Sequence, residues 1–201
     1  MGVVDLKCQD SFNSPMCGYY MNKQRQALFL GHNEQIYLFF NLPPCLPFGI
    51  MLKARLLLFK LLCFPFRMNP IVSVENPPIQ YALYPLLDFY SVFNCAFSPP
   101  IIDTDEQVNF INHSHLSYTE VDITQIVGDW SSGKIENKGL LLTGSEACQC
   151  ISYASGQYTI LGMRPTIRIT FRENKICQSL EMAPCEVKVL HPASLKAEQG
   201  V

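Results

Sequence analysis

The chain has 201 residues, 48% of them hydrophobic and 16% charged, with a formal net charge of −2. That length buries a sizeable core and fits one domain with a tail, and the composition belongs to globular or assembly-forming chains rather than disordered ones. The slight negative charge offers nothing to a phosphate backbone or an anionic lipid surface, which excludes nucleic acid as a preferred partner.

The first residues, MGVVDLKCQDSF, show no basic segment followed by an apolar run, so no secretory signal is expected. Residues 5–20 read as polar and turn-rich. Ala27 to Gly31 then predicts a short strand and Ile36 to Leu42 another, ended by Pro43, Pro44 and Pro47, which cannot extend a ladder. The greasiest region, Cys45 to Phe66, is interrupted by Lys53, Arg55 and Lys60, and predicts strands rather than a membrane-spanning helix. From Ile50, the residues Leu52, Ala54, Leu56 and Leu58 share one face while Lys53 and Arg55 take the other. Leu57 and Phe59 break that polar face, so its far half calls for cover from a loop or a neighbouring subunit.

The proline-rich stretch from Pro65 to Pro100 is the least periodic, with one strand expected around Gln80 to Leu87. Ile101 to Asn112 and Ser117 to Val121 predict two more. At Ile123 the period changes: Ile123, Ile126, Val127 and Trp130 take helical spacing, predicting a short helix around 123–131. Asp122 and Gln125 have the spacing of a capping box, and Ser131, Ser132 and Gly133 stop the helix. A polar turn through Asn137 and Gly139 leads into a strand at Leu140 to Leu142. Cys150 to Ala154 and Pro165 to Phe171 alternate again. A two-turn helix is too short to stand alone, so its apolar side chains plug something larger. Many short strands, one short helix and no βαβ rhythm predict an all-β, antiparallel, jelly-roll-like sandwich over residues 1–172. Residues 173–201 form a tail with one strand-like piece, Cys185 to Leu190, suited to pairing with a sheet edge of its own chain or a neighbour's.

Four segments together resemble the DNRLRE-domain proteins, a β-sandwich family related to carbohydrate-binding modules. They are DSFNSPMCGYYMNKQRQALFLG from Asp10, FFNLPPCLPFGIMLKARLLLF from Phe39, VDITQIVGDWSSGKIENKGLLL from Val121 and YASGQYTILGMRPTIRITF from Tyr153. The resemblance runs from Asp10 to Phe171, with two departures: residues 77–100 lack the family's tryptophan and paired asparagines, and Ser155-Gly156 replaces a common charged pair. It implies a surface module without catalytic activity, with Asp122, Thr124, Trp130 and Gly139 in structural positions. Members without a signal peptide resemble those of spore-forming bacteria, which implies a spore surface or similar layer; a cytoplasmic location is the alternative.

Candidate sites are few. Trp130, at the fourth place of an amphipathic turn, suits a core plug better than a sugar platform. Tyr153 and Tyr158 are better candidates for stacking on a polysaccharide, although a packing role is the favoured reading of both. His113 and His115 lie two apart, so on extended backbone both face one side and could share one metal ion, but with no third ligand placed by sequence a surface loop is the favoured reading. Asp103, Asp105 and Glu106 cluster without the spaced carboxylates and glycine of a calcium loop. Nine cysteines leave at least one unpaired within a monomer; Cys148, Cys150, Cys177 and Cys185 are candidates for cross-links, against the reading that most are small buried apolar groups. No nucleophile stands beside a base and no phosphate loop or cofactor motif is present, so the expected role is structural, without cofactor, through self-association, other surface-layer proteins or a polysaccharide.

Overall fold

Period-two alternation organises the computed structural model, which describes residues 1–14, 26–31, 34–43, 49–61, 80–92, 98–113, 115–144 and 151–173. One sheet has the order β1 (Gly2–Lys7), β11 (Thr166–Glu173), β5 (Gly49–Phe59), β8 (Tyr118–Asp122). The facing sheet has the order β2 (Asp10–Ser14), β4 (Gln35–Phe39), β9 (Leu140–Gly144), β6 (Gln80–Pro85), β7 (Val108–Ile111). A two-stranded piece, β10 (Ile151–Ala154) with β3 (Ala27–Leu30), adjoins the end of β5 through the bridge between Lys60 and Tyr153. All of these pairings are antiparallel, and the fold is an all-β sandwich.

The core fills the space between the sheets. Ala54, Leu56 and Leu58 of β5 and Ile167 and Ile169 of β11 meet Ile36, Leu38, Leu83, Leu140 and Leu142 from the other side, all buried. Each such leucine or isoleucine contributes about 1.5–3 kcal/mol by leaving water. The predicted alternation on β5 holds from Ala54 onward. Leu52 falls where the register skips, since Thr170 faces Lys53 while Phe171 faces Met51, and it is therefore left at the surface. Leu57 is buried by its own chain, beside Lys7, Thr166 and Arg168.

The helix α1 (Thr124–Ser132) closes one end, with Ile126, Val127 and Trp130 inside the core and Gly133 terminating it at φ 74°. Its start differs from the expected capping box. Asp122 accepts from the Thr124 amide (3.1 Å) and hydroxyl (2.6 Å), while Gln125 turns forward to Asp129 (3.1 Å). Thr124 Oγ1 also accepts from the Ala54 amide at 3.0 Å, which ties the helix to β5 instead. At the other end of the following turn, Gly139 has φ 109°, and a Cβ there would meet the Phe39 ring at 2.8 Å and the Leu38 carbonyl at 2.9 Å. Glycine is required at that position.

Two expectations need correction. Residues 5–20 read as polar and turn-rich, yet 5–7 and 10–14 lie in the strands β1 and β2; β2 carries its one large apolar residue, Phe12, on the outer side and so shows no inward alternation. The strand expected over 101–112 begins only at Val108, because Asp103 Oδ1 accepts from the amides of Asp105 (3.0 Å) and Glu106 (3.3 Å) and builds a turn there. The tail with Cys185 to Leu190 lies outside the described residues.

Candidate functional site

The outer side of the five-stranded sheet carries a second apolar cluster. On β4, Ile36 and Leu38 point inward, so Tyr37 and Phe39 point out; on β9, Leu141 does the same between Leu140 and Leu142. Register aligns these groups in rows. Phe12 faces Tyr37, Tyr37 faces Leu141 and Leu141 faces Tyr84, making one aromatic row across four strands. The Tyr37 ring stacks on Phe12 at 4.6 Å and on Tyr90 at 4.9 Å. One step along each strand, Ser14 faces Gln35, and Thr143 follows on β9, so a row of hydroxyl and amide groups borders the aromatic one.

The segment after β6 folds back as a wall. Leu86 bridges Ile102, the Leu87 amide donates to the Ile101 carbonyl (2.9 Å), and Tyr90 Oη donates to the Ser98 carbonyl (2.7 Å). Between wall and sheet lies a cleft of about 530 Å³, lined by Ser14, Gln35, Tyr37, Tyr84, Tyr90, Leu141 and Thr143 together with the 98–102 segment. That is within the size range of ligand sites, about 300–1,000 Å³. Among the described residues, none that lines the cleft is charged. Tyr37 and Tyr90 are buried in the stack, while Tyr84 is only half-buried and gives the cleft its accessible ring.

The residues singled out by sequence lie elsewhere. Tyr153 is fully buried in the core, with its hydroxyl 2.9 Å from Thr119 Oγ1; burial pushes the phenol up to about 12, and the ring is out of reach of any sugar. Its candidate stacking role is thereby corrected: β10 faces the sandwich interior on the side where Tyr153 points. Tyr158 is half-buried in the loop before Arg164, whose Nε donates to the Tyr158 carbonyl (2.8 Å). Trp130 sits in the core at 8% exposure.

His113 and His115 are both exposed, with ring centroids 5.7 Å apart. Lys60 Nζ donates to the carbonyls of His113 and Leu116, placing a cation beside the pair. Among the described residues, no three His, Cys, Asp or Glu side chains are grouped to hold a metal ion. In the acidic cluster, Asp103 serves its turn, and Glu106 joins Asp129 in gripping Lys134, at 3.2 and 2.7 Å. The hydrogen bond from Lys134 holds the buried Asp129 carboxyl below the usual carboxylate range. Asp122 is driven up by burial, but its bonds from Thr124 and Lys53 outweigh this and leave it lowered. Cys148, Cys150, Cys177 and Cys185 lie outside the described residues. Cys8 is buried where the chain passes from one sheet to the other; its thiol donates to the Asp10 carbonyl (3.0 Å), and burial raises it to about 12.

The cleft residues left a signal in the sequence. IYLFF at 36–40 and LLL at 140–142 are apolar at consecutive positions, so both faces of those strands demand cover. Among the described residues no helix is long and apolar enough to cross a membrane. No protein-family model matches the chain, and a search of curated proteins finds no match either.

Proposed function

We propose that the chain is a non-enzymatic structural or assembly module, DNRLRE-like, working in a bacterial spore surface or another extracellular layer. The observation that supports this reading best is a ridge of exposed apolar side chains on the wall of the cleft: Leu87, Phe89 and Ile101 are 39%, 72% and 61% exposed. The Leu87 amide is bonded to Ile101, so the ridge is held together by backbone. Exposed apolar side chains close together, here with the Lys138 ammonium 4.9 Å from the Phe89 ring centroid, suit contact with another macromolecule, a second copy or another layer protein. Light scattering tests the reading on the full chain: it is expected to self-associate in a concentration-dependent way, and Phe89→Ser with Ile101→Ser is expected to shift the midpoint upward at least tenfold. A chain that stays monomeric at every concentration, alone and with extracted layer proteins, overturns it. Gel migration with and without reductant reads the cross-linked form of the same assembly.

A second reading, a module that binds polysaccharide, is favoured by the uncharged tyrosine cleft. A glycan array with no binding above background would set it aside.

A further inference from the structure

We propose that the outer face of the five-stranded sheet binds an uncharged oligosaccharide laid across strands β4, β9 and β6, with Tyr84 beneath a sugar ring and Gln35 and Thr143 on its hydroxyls. The proposal rests on the polysaccharide-binding reading above and gives it a site and a substrate class.

Three features of the cleft carry it. The first is neutrality: among the described residues, the lining of the 530 Å³ cleft holds tyrosine, proline and aliphatic surface with serine, threonine and glutamine, and no ionic group. An acidic or sulfated polymer would leave its charges there without a counterion in a partly dehydrated groove, which is costly. The other sheet, by contrast, has Arg168 opposite Arg55 on its outer side. The second feature is the pairing of rows. The half-buried Tyr84 ring offers apolar surface above the buried Leu141 and Tyr37, and the half-buried Gln35 and Thr143 lie beside it. A pyranose has the same division, with an apolar C–H face and a polar rim, so the two rows contact both at once. The third is spacing. Adjacent strands are ~4.8 Å apart, comparable with the length of one sugar unit, so a chain laid across the sheet meets the Tyr84 ring on β6 and then the polar groups of Thr143 on β9 and Gln35 on β4. The Tyr37 stack on Phe12 and Tyr90 holds the floor rigid, and the Tyr90 bond to the Ser98 carbonyl fixes the wall, so little ordering is left to accompany binding.

The experiment is calorimetric titration of the full chain with neutral hexasaccharides (β-1,4-glucan, β-1,3-glucan, xylan and mannan) and with a hexagalacturonate of equal length. At least one neutral hexasaccharide is expected to bind at micromolar to millimolar Kd, with the galacturonate at least tenfold weaker. Tyr84→Ala is expected to weaken binding tenfold or more, and Thr143→Val, which keeps the shape of the strand residue, about threefold to tenfold. Arg55→Ala on the opposite sheet is expected to stay within twofold. Circular dichroism of each variant separates lost binding from lost folding, and Thr143→Val carries the test if Tyr84→Ala unfolds. Preference for the charged hexasaccharide overturns the substrate class. Binding that neither variant changes overturns the site while leaving the polysaccharide reading standing. No binding of any neutral hexasaccharide overturns the site and that reading together.

Discussion

The two outward faces of the sandwich share a backbone plan and differ in chemistry. Across the four-stranded sheet, the register lines up Asp5, Arg168, Arg55 and Asp122, a row running negative, positive, positive, negative. Each arginine is neutralised nearby, Arg168 by Asp5 at 2.7 Å and Arg55 by Glu120 at 2.9 Å. Across the five-stranded sheet, the corresponding row is Phe12, Tyr37, Leu141 and Tyr84. A charged row is stable facing water and needs no cover, whereas an aromatic row is stable only when something lies on it. The chain supplies part of that cover with Leu86, Tyr90 and Ile102 and leaves Tyr84 half open. The difference separates a face of paired charges from a face of stacked rings that the chain itself covers in part.

Removing the middle of the aromatic row should do the most damage. Tyr37→Ala empties a site 1% exposed and breaks two ring stacks, an expected loss of about 3–5 kcal/mol read as a lower urea midpoint. Arg55→Ala in the matching place on the other sheet should leave the midpoint within about 1 kcal/mol. A comparable loss from both would erase the contrast. Gly139→Ala, beneath the Phe39 ring, forces a positive φ and a clash with the Leu38 carbonyl, and should cost about 3 kcal/mol in the same assay. Thr124→Val leaves the Ala54 amide without its acceptor where the helix meets the charged sheet, and should cost about 1–2 kcal/mol.

The smallest effect sharpens the comparison by its dependence on conditions. The hydrogen bond from Arg168 lowers the Asp5 carboxyl below its ordinary value. A carboxyl depressed in the folded state adds stability above its unfolded pKa, about 3.9, and loses it as pH falls through the lower folded value. Asp5→Asn should therefore differ from the parent by at most about 1 kcal/mol at pH 7, the pair being partly exposed. The difference should vanish by about pH 2 and shrink in 1 M salt. Tyr37→Ala should show neither dependence.

The inward half of this fold was legible because β5, β9 and β11 alternate or carry branched aliphatic runs, and because Trp130 fell at helical spacing with Ile126 and Val127. The first two strands were not, since β1 is a half-exposed edge and β2 holds only Phe12 as a large apolar group. The cleft was less legible still. Its floor is assembled from positions about a hundred residues apart, Gln35 and Tyr37 beside Leu141 and Thr143, and only strand register brings them together. Tyr153 misled for the opposite reason: a tyrosine on a short strand looks amphipathic, yet its hydroxyl is satisfied inside by Thr119.

The crossing at Cys8 bears on the protein's redox behaviour as a whole. That sulfur is shut inside at the junction of the sheets, out of reach of oxidants and of other thiols while the sandwich is folded. A thiol stain should therefore miss Cys8 in native material and reach it once the sandwich is melted.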